Sequence, residues 1–361
     1  MDYKNIESPG LIVFPEVVRS NIKMVIDMVG GNVARLRPHI KTHKTQEVND
    51  LLLEAGIYKF KCATIAEAEL LAISKAKDIL LSIQPTGTTL SRFIELILSY
   101  PKSQFSCLVD DYLAAEKINE FAINNKIVIN IFIDLNVGMN RTGIVPKDAI
   151  HLIEKIANHL FNLEIKGLHA YDGHIRDFEM EARINHVQQD FIDFYELIGK
   201  IDPHNKYELV VGGTPSFLVH RTNDRFVCSP GTFVFFDIGY SKLFPENTFK
   251  MAVQIISRVI SKPTSSTICI DLGHKSVAAE NPIENRVRFI DFPNWILKSQ
   301  SEEHGIIEVN DHSNIEIGQI IRMYPYHICP TVALHQNLQV IEHDQKIGEW
   351  VVKARNRKIN I

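Results

Sequence analysis

The feature that most constrains this chain is an alternation. Eight short segments of β type, roughly Ala34–Ile40, Lys59–Ile65, Asp78–Gln84, Gln104–Val109, Ile127–Leu135, Leu163–Tyr171, Tyr207–Gly213 and Phe226–Asp237, each run into turn residues or a polar cluster. Most are followed by an amphipathic stretch such as Thr64–Lys75, Leu90–Leu98 or Lys147–Leu160. Strands spaced by helices give parallel sheet with helical crossovers, and eight such units predict an α/β fold, a (β/α)8 TIM-type barrel. The competing open, doubly wound sheet normally carries a G-x-G-x-x-G after an early strand, and this sequence has none.

Beyond about Gly239 the texture changes. Met251–Ile260, Thr267–Leu272, Val287–Ile290, Gly305–Val309, Gln319–Met323 and Leu338–Glu342 read as strands with few helical stretches between them, which predicts a second, β-rich domain. The expected division is a barrel over residues 14–240 and a β-rich domain built from 1–13 together with 241–361. A chain of 361 residues exceeds the ~250–300 at which a single core stops growing, so two domains are the natural expectation.

Charge and cysteine usage narrow the function classes. Lys and Arg number 39 against 43 Asp and Glu, a formal charge of −4, so there is no basic excess to neutralise a phosphate backbone and nucleic acid is not an expected partner. The five cysteines (Cys62, Cys107, Cys228, Cys269, Cys329) are far apart and never in C-x-x-C spacing, which suits a reducing compartment. The apolar run Leu11–Phe14 is far short of a signal-peptide core or a ~20-residue membrane span, so the expectation is a cytoplasmic protein with no membrane partner.

Barrels of this kind place their chemistry at the C-terminal ends of the strands, and there the polar and special residues gather. The first segment ends in Arg37-Pro-His-Ile-Lys-Thr-His-Lys44, the fifth in Asp134-Leu-Asn-Val-Gly-Met-Asn-Arg-Thr-Gly143, the sixth in His169-Ala-Tyr-Asp-Gly-His174 and the seventh in Gly212-Gly-Thr-Pro-Ser216. Lys41 stands at the mouth of the first. A lysine desolvated among other cations acts as an amine nucleophile or Schiff-base former; the competing reading is a solvated basic loop. Gly212-Gly213-Thr214 offers backbone N–H groups and a hydroxyl to a phosphate, or is a plain turn.

His327-Ile-Cys329 is a candidate metal pair, because residues i and i+2 of an extended segment face one side and imidazole with thiolate suits zinc. The alternative is a buried structural cysteine beside a hydrogen-bonded histidine. His186, His204 and His220 show no partner pattern, and His151 and His159 read as helix-surface residues. H-E-x-x-H, P-loop and G-x-S-x-G motifs are all missing from the sequence.

Together, Ser8-Pro-Gly-Leu-Ile-Val, R-P-H-I-K-T-H-K, N-V-G-M-N-R-T-G, Y-D-G-H, G-G-T-P, S-P-G-T-F-V-F-F-D, D-L-G-H-K-S, S-E-E-H-G and H-I-C-P-T resemble the D-threonine aldolase and D-serine dehydratase family of pyridoxal-phosphate enzymes, which share the alanine-racemase-type barrel. The resemblance runs over nearly the whole chain. It implies that Lys41 carries pyridoxal 5'-phosphate as a Schiff base, that Gly213 and Thr214 hold the phosphate, and that Arg141 or Tyr171 approaches the pyridine nitrogen. It implies too that His327 and Cys329 hold a divalent metal, zinc or manganese, beside the β-hydroxyl of a small-molecule D-3-hydroxy amino acid, with His169 and His174 as outer neighbours. The implied activity is that of a lyase, by β-elimination to a 2-oxo acid and ammonia or by retro-aldol cleavage to glycine and an aldehyde. His-x-Cys inclines family members toward elimination. The alternatives are an amino-acid racemase or decarboxylase of the same superfamily, with a catalytic tyrosine or cysteine from the β-rich domain, or a non-catalytic pyridoxal-phosphate carrier. Subunits of this superfamily pair, so the resemblance also implies a homodimer.

Overall fold

The computed structural model describes Tyr3 and Asn5–Ile361. The chain folds into two compact units, one of Met1–Met24, Thr42–Val48 and Thr232–Arg355, the other of Val25–Lys41, Asn49–Gly231 and Asn356–Ile361. Strand β1 (Gly10–Val13) belongs to the first unit. The second holds β2 (Lys59–Cys62), β3 (Asp78–Leu81), β4 (Gln104–Val109), β5 (Ile129–Leu135), β6 (Leu163–Ala170), β7 (Glu208–Val211) and β8 (Phe226–Cys228). Among the described residues no helix is long and apolar enough to cross a membrane.

In the second unit β2 to β8 pair in sequence order, every pair parallel. Helices Ile65–Ile73, Gly87–Ser99, Tyr112–Asn124 and Pro146–His159 fill the first crossovers. Their starts follow local chemistry: the Thr64 side chain accepts from Glu67 N, while Glu67 Oε2 accepts from Ala63 N at 2.7 Å, and Asp111 accepts from Ala114 N. Pro146 occupies the first turn of its helix, where a missing N–H costs nothing.

The first expected strand, Ala34–Ile40, is not a regular strand. A 3-10 turn at Val33–Arg35 and another at Ile40–Thr42 leave Leu36–His39 extended between them. Pro38 has no N–H to donate, so the segment makes only isolated bridges, Leu36 to Cys228 and His39 to Lys61. Arg37 N donates to Cys228 O at 2.9 Å, His39 N to Pro230 O at 3.0 Å and Lys61 N to Pro38 O at 2.9 Å, and these bonds join β8 to β2 and close the ring. The eighth expected strand is also shorter, because Pro230-Gly231 ends β8 at Cys228 and a 3-10 turn follows at Thr232–Val234.

Leu80, Leu108, Phe132, Val210 and Val227 form a buried cluster inside the unit. At the strands' N-terminal end the buried Arg37 guanidinium meets both Asp78 oxygens, at 2.8 and 2.9 Å, and Glu208 Oε1 at 2.7 Å, while Lys59 pairs with the other Glu208 oxygen. The chain's last residues pack on the helix Ile65–Ile73: the buried Glu69 carboxylate accepts from Asn360 N at 3.1 Å, Asn360 Nδ2 at 2.9 Å and Ile361 N at 3.3 Å.

The first unit is antiparallel in the main. It adds β9 (Val253–Thr264), β10 (Thr267–Ile270), β11 (Val287–Phe289), β12 (Ile296–Gln300), β13 (Gly305–Glu308), β14 (Ile320–Pro325), β15 (Asn337–Glu342) and β16 (Gln345–Val351) to β1, in the order β12-β13-β10-β9-β1-β15-β16, with β14 pairing β9 and β11. Tyr3, Ile6, Ile12, Phe14, Ile256 and Ile341 form a core cluster of this unit. Two of the sequence landmarks meet in it. Ser8 donates to Asp271 Oδ2 at 2.5 Å, and Asp271 Oδ1 accepts from Ser257 Oγ and Arg258 N, so this aspartate, just past β10, ties Ser8 to the middle of β9.

Candidate functional site

In the second unit the site forms where strands end. β6 stops at Ala170, which sets Tyr171 at the mouth, and three cations gather on its ring: Lys41 Nζ lies 5.7 Å, Lys61 Nζ 5.6 Å and Arg141 Cζ 4.9 Å from the centroid. Lys41 sits in the Ile40–Thr42 turn, whose backbone N–H at Lys41 is capped by His39 Nδ1 at 3.1 Å. Arg141 is exposed on the loop after β5, in a small cavity lined by Asp134, Leu135, Met139, Thr142 and Tyr171.

Gly213 lies against the same ring. A Cβ there would stand 2.9 Å from Tyr171 Cε2, closer than real Cβ contacts, so only glycine lets the turn after β7 pass. Thr214, buried beside it, accepts from Gly231 N at 3.2 Å.

Below the mouth a polar chain crosses the interior. β2 and β6 are not sheet neighbours, yet Lys61 Nζ reaches His169 Nε2 at 3.3 Å, and His169 Nδ1 donates to Asp134 Oδ1 at 2.7 Å. Burial, then the charge of Lys41, bring the Lys61 amine down to about 7; burial, then Lys61, lower His169. Beside it the buried Asp172 accepts from Ser216 Oγ and from His220 Nε2, both at 2.6 Å. Burial opposes its ionisation, but His220 and the hydrogen bonds hold its carboxyl below the usual range.

Both interior carboxylates are thus turned to histidines, while three cations surround an aromatic face. That donor set fits a flat, polyanionic group, and pyridoxal phosphate, an aromatic ring bearing a phosphate, is such a group. The structure brings Lys41, Arg141, Tyr171 and Gly213 together, with Thr214 next in the same turn. Lys61 belongs to none of the sequence motifs, and its only signal is K-F-K-C, two lysines at i and i+2 of a strand.

His327 and Cys329 belong to the first unit, and the local geometry differs from the extended segment expected. β14 ends at Pro325, His327 is the N-cap of helix Ile328–Leu334, and Cys329 lies in that helix's first turn. Thr331 Oγ1 donates to His327 O at 2.8 Å and completes the turn. The two side chains still meet. Burial opposes protonation of His327, but a hydrogen bond to Cys329, the charge of that sulfur and Glu280 raise the imidazole to about 9.

Glu280 contacts His327 Nδ1 directly, and Cys329 Sγ lies 3.2 Å from Thr42 Oγ1. Asp237, buried, accepts from Ile328 N at 3.0 Å and from Tyr240 N at 2.9 Å; burial pushes its carboxyl up to about 6. The imidazole of His327 and the sulfur of Cys329, side by side, are a nitrogen and sulfur pair of the kind that suits a divalent cation of zinc type. Glu280 carries no signal in the sequence, being far from the His-x-Cys motif.

His169 and His174, the expected outer neighbours, part company: His169 is in the interior chain, whereas His174 hydrogen-bonds Asp190 Oδ2 at 2.7 Å. His220 lies buried against Asp172, and His151 and His159 are exposed.

Comparison with known proteins places the chain in a family. The family model described as "Alanine racemase, N-terminal domain" matches residues 15–238, and one described as "Putative serine dehydratase domain" matches 252–341. A 3-hydroxy-D-aspartate aldolase of Paracoccus denitrificans (strain Pd 1222) is 25% identical, the match covering 99% of this chain and 94% of the relative. A D-serine dehydratase of Dictyostelium discoideum is 23% identical, covering 96% of each. The solved D-threonine aldolase from Filomicrobium marinum superposes with a TM-score of 0.88 at 23% identity, over 98% of this chain and 96% of that one, and so shares the fold. The chain belongs to the alanine racemase N-terminal domain family and, within it, to the D-threonine aldolase and D-serine dehydratase group of lyases.

Proposed function

We propose that this chain is a pyridoxal-phosphate- and divalent-metal-dependent lyase of D-3-hydroxy amino acids, working by β-elimination to a 2-oxo acid and ammonia. The observation that carries this reading is the convergence of Lys41, Lys61 and Arg141 on the ring of Tyr171. Bound pyridoxal phosphate would supply the electron sink that makes the substrate's Cα–H bond acidic.

Lys41 would hold the cofactor through Nζ and, once displaced by the substrate's amine, take the α-proton on that same nitrogen. Gly213 and Thr214 would hold the phosphate. Arg141 and Tyr171 would border the pyridine ring, and a guanidinium or phenol there leaves a ring nitrogen unprotonated more readily than a carboxylate does. His327 and Cys329 would hold the divalent ion, whose Lewis acidity eases departure of a hydroxyl group. Loss of water from the amino acid followed by hydrolysis of the resulting imine yields the 2-oxo acid and ammonia, so the net reaction consumes no other reagent.

The test is direct. Purified protein loaded with pyridoxal phosphate is given D-serine and D-threonine, with a chelator and then with zinc or manganese restored, and 2-oxo acid and aldehyde are assayed separately. The expected result is 2-oxo acid from the D-enantiomers only, lost on chelation and restored by metal. Glycine and aldehyde would replace elimination by retro-aldol cleavage, and a protein that takes up no pyridoxal phosphate overturns the reading.

A further inference from the structure

Among the described residues, one cluster of three His, Cys, Asp or Glu donors lies within 4.8 Å of one another, and it is His174, His186 and Asp190 in the second unit. We propose that these three residues bind a divalent transition-metal ion of zinc type, in a site separate from the His327 and Cys329 pair.

His186 and Asp190 stand four residues apart on helix Met180–Asp190 and so share a face, and His174 reaches them from the loop after β6. His174 Nε2 is 2.7 Å and His186 Nε2 3.6 Å from the same Asp190 oxygen, and the two imidazole centroids are 5.6 Å apart, nearly perpendicular. Zinc bonds of about 2.0 Å at tetrahedral angles put ligand atoms about 3.3 Å apart, so small adjustments of these side chains satisfy it.

A carboxylate partner orients the second imidazole. His186 Nδ1 donates to Asp177 Oδ2 at 2.7 Å, which fixes the tautomer with the Nε2 lone pair aimed at Asp190. A lone pair and a carboxylate facing each other at 3.6 Å are the arrangement a cation resolves. His174 Nδ1 is buried without a hydrogen-bond partner, so the protein ties this ring through Nε2.

The backbone has been shaped around the cluster. Gly138 has φ +100, and a Cβ there would stand 2.6 Å from Asp190 Oδ2 and 2.9 Å from His174 Nε2. The loop of Arg141 and the loop of Tyr171 therefore meet at this point. The side chains of His174, His186 and Asp190 are 25%, 37% and 23% exposed, open enough for an ion to enter and for water to take a fourth position. Two imidazoles and one carboxylate, with no thiolate, also set this donor set apart from the other pair.

Protein stripped with chelator is titrated with zinc and with cobalt, counting bound ions and recording cobalt spectra. Replacing His186→Gln with Asp190→Asn should lower the stoichiometry by one ion per chain with circular dichroism unchanged. Replacing His327→Gln with Cys329→Ser should abolish any thiolate-to-cobalt charge-transfer band while one ion, with only nitrogen and oxygen ligands, stays bound. Asp177→Asn should weaken that ion's affinity about 10-fold or more, since it removes the partner that orients His186. An unchanged stoichiometry in the His186 and Asp190 variant overturns the site. So does a His327 and Cys329 variant that binds no ion, because the histidines are then hydrogen-bonded bridges between Asp177 and Asp190. Absence of the charge-transfer band in the parent protein counts against the other pair alone.

Discussion

Lys61 is the third residue of β2, 3% exposed, with its amine 3.3 Å from His169. Its ionisation near pH 7 has a consequence for stability. Between about 7 and the ordinary value of 10.5 the unfolded chain holds a proton on this amine that the folded chain has lost, so stability rises with pH across that window; below it the buried charge exacts its full cost. At roughly 1.4 kcal/mol per unit of pKa shift, Lys61→Met should stabilise the protein at pH 6 by a few kcal/mol and flatten the rise toward pH 10. Urea unfolding of the cofactor-free proteins at several pH values checks this. Reactivity separates the two lysines: borohydride reduction of the holoenzyme followed by peptide mapping should find the cofactor on Lys41 and leave Lys61 unmodified. The R-P-H-I-K-T-H-K motif made Lys41 legible. Lys61 was not, because lysines alternating along a strand read as solvent-facing, and only closure of the ring turns that face inward.

At the level of elements, the Leu36–His39 segment shows how side chains replace missing backbone bonds. The buried Arg37 holds the partly exposed Asp78 and Glu208 together. Burial opposes ionisation of Glu208, yet Arg37 and Lys59 hold it below the usual carboxylate range. That stabilisation is present above the unfolded value of 4.5 and is lost as pH falls below it. Arg37→Met takes the guanidinium from Asp78, leaves Glu208 with Lys59 alone, and should cost about 3–5 kcal/mol in denaturant unfolding at neutral pH. The alternation of strand and helix was legible from period alone, but the irregular first strand was not, since an extended run with one proline and a polar tail reads the same whether or not it pairs. The His-x-Cys segment teaches the same point. Ile328 and Val332 are four apart and both buried, yet seven residues preceded by Tyr324-Pro-Tyr326 and holding Pro330 in their first turn gave no helical signal strong enough to outweigh an extended reading. Cys329→Ser should keep the yellow of the lysine-bound cofactor and lose the chelator-sensitive part of the activity.

At the scale of the molecule, each unit is assembled from separated stretches of chain, so neither is a continuous piece. The ring unit takes in Asn356–Ile361, whose backbone supplies two of the N–H donors to the buried Glu69. Deleting those six residues leaves Tyr100 as the remaining hydrogen-bond donor described for Glu69, and should cost roughly 1–3 kcal/mol for each acceptor stranded, read as a lower thermal midpoint. The parallel ring and the β-rich remainder were both legible in the sequence, while β1, β12 and β16 were too short or too polar to stand out.

The closure of the ring carries a dynamic consequence. Neighbouring strands such as β5 and β6 share a ladder of seven paired positions, whereas the join between β8 and β2 passes through two single bridges and a proline. The amides of Arg37, His39 and Lys61 should therefore exchange with deuterated solvent ahead of those along β5 and β6. The ring has a seam, and the lysine expected to carry the cofactor is two residues beyond it.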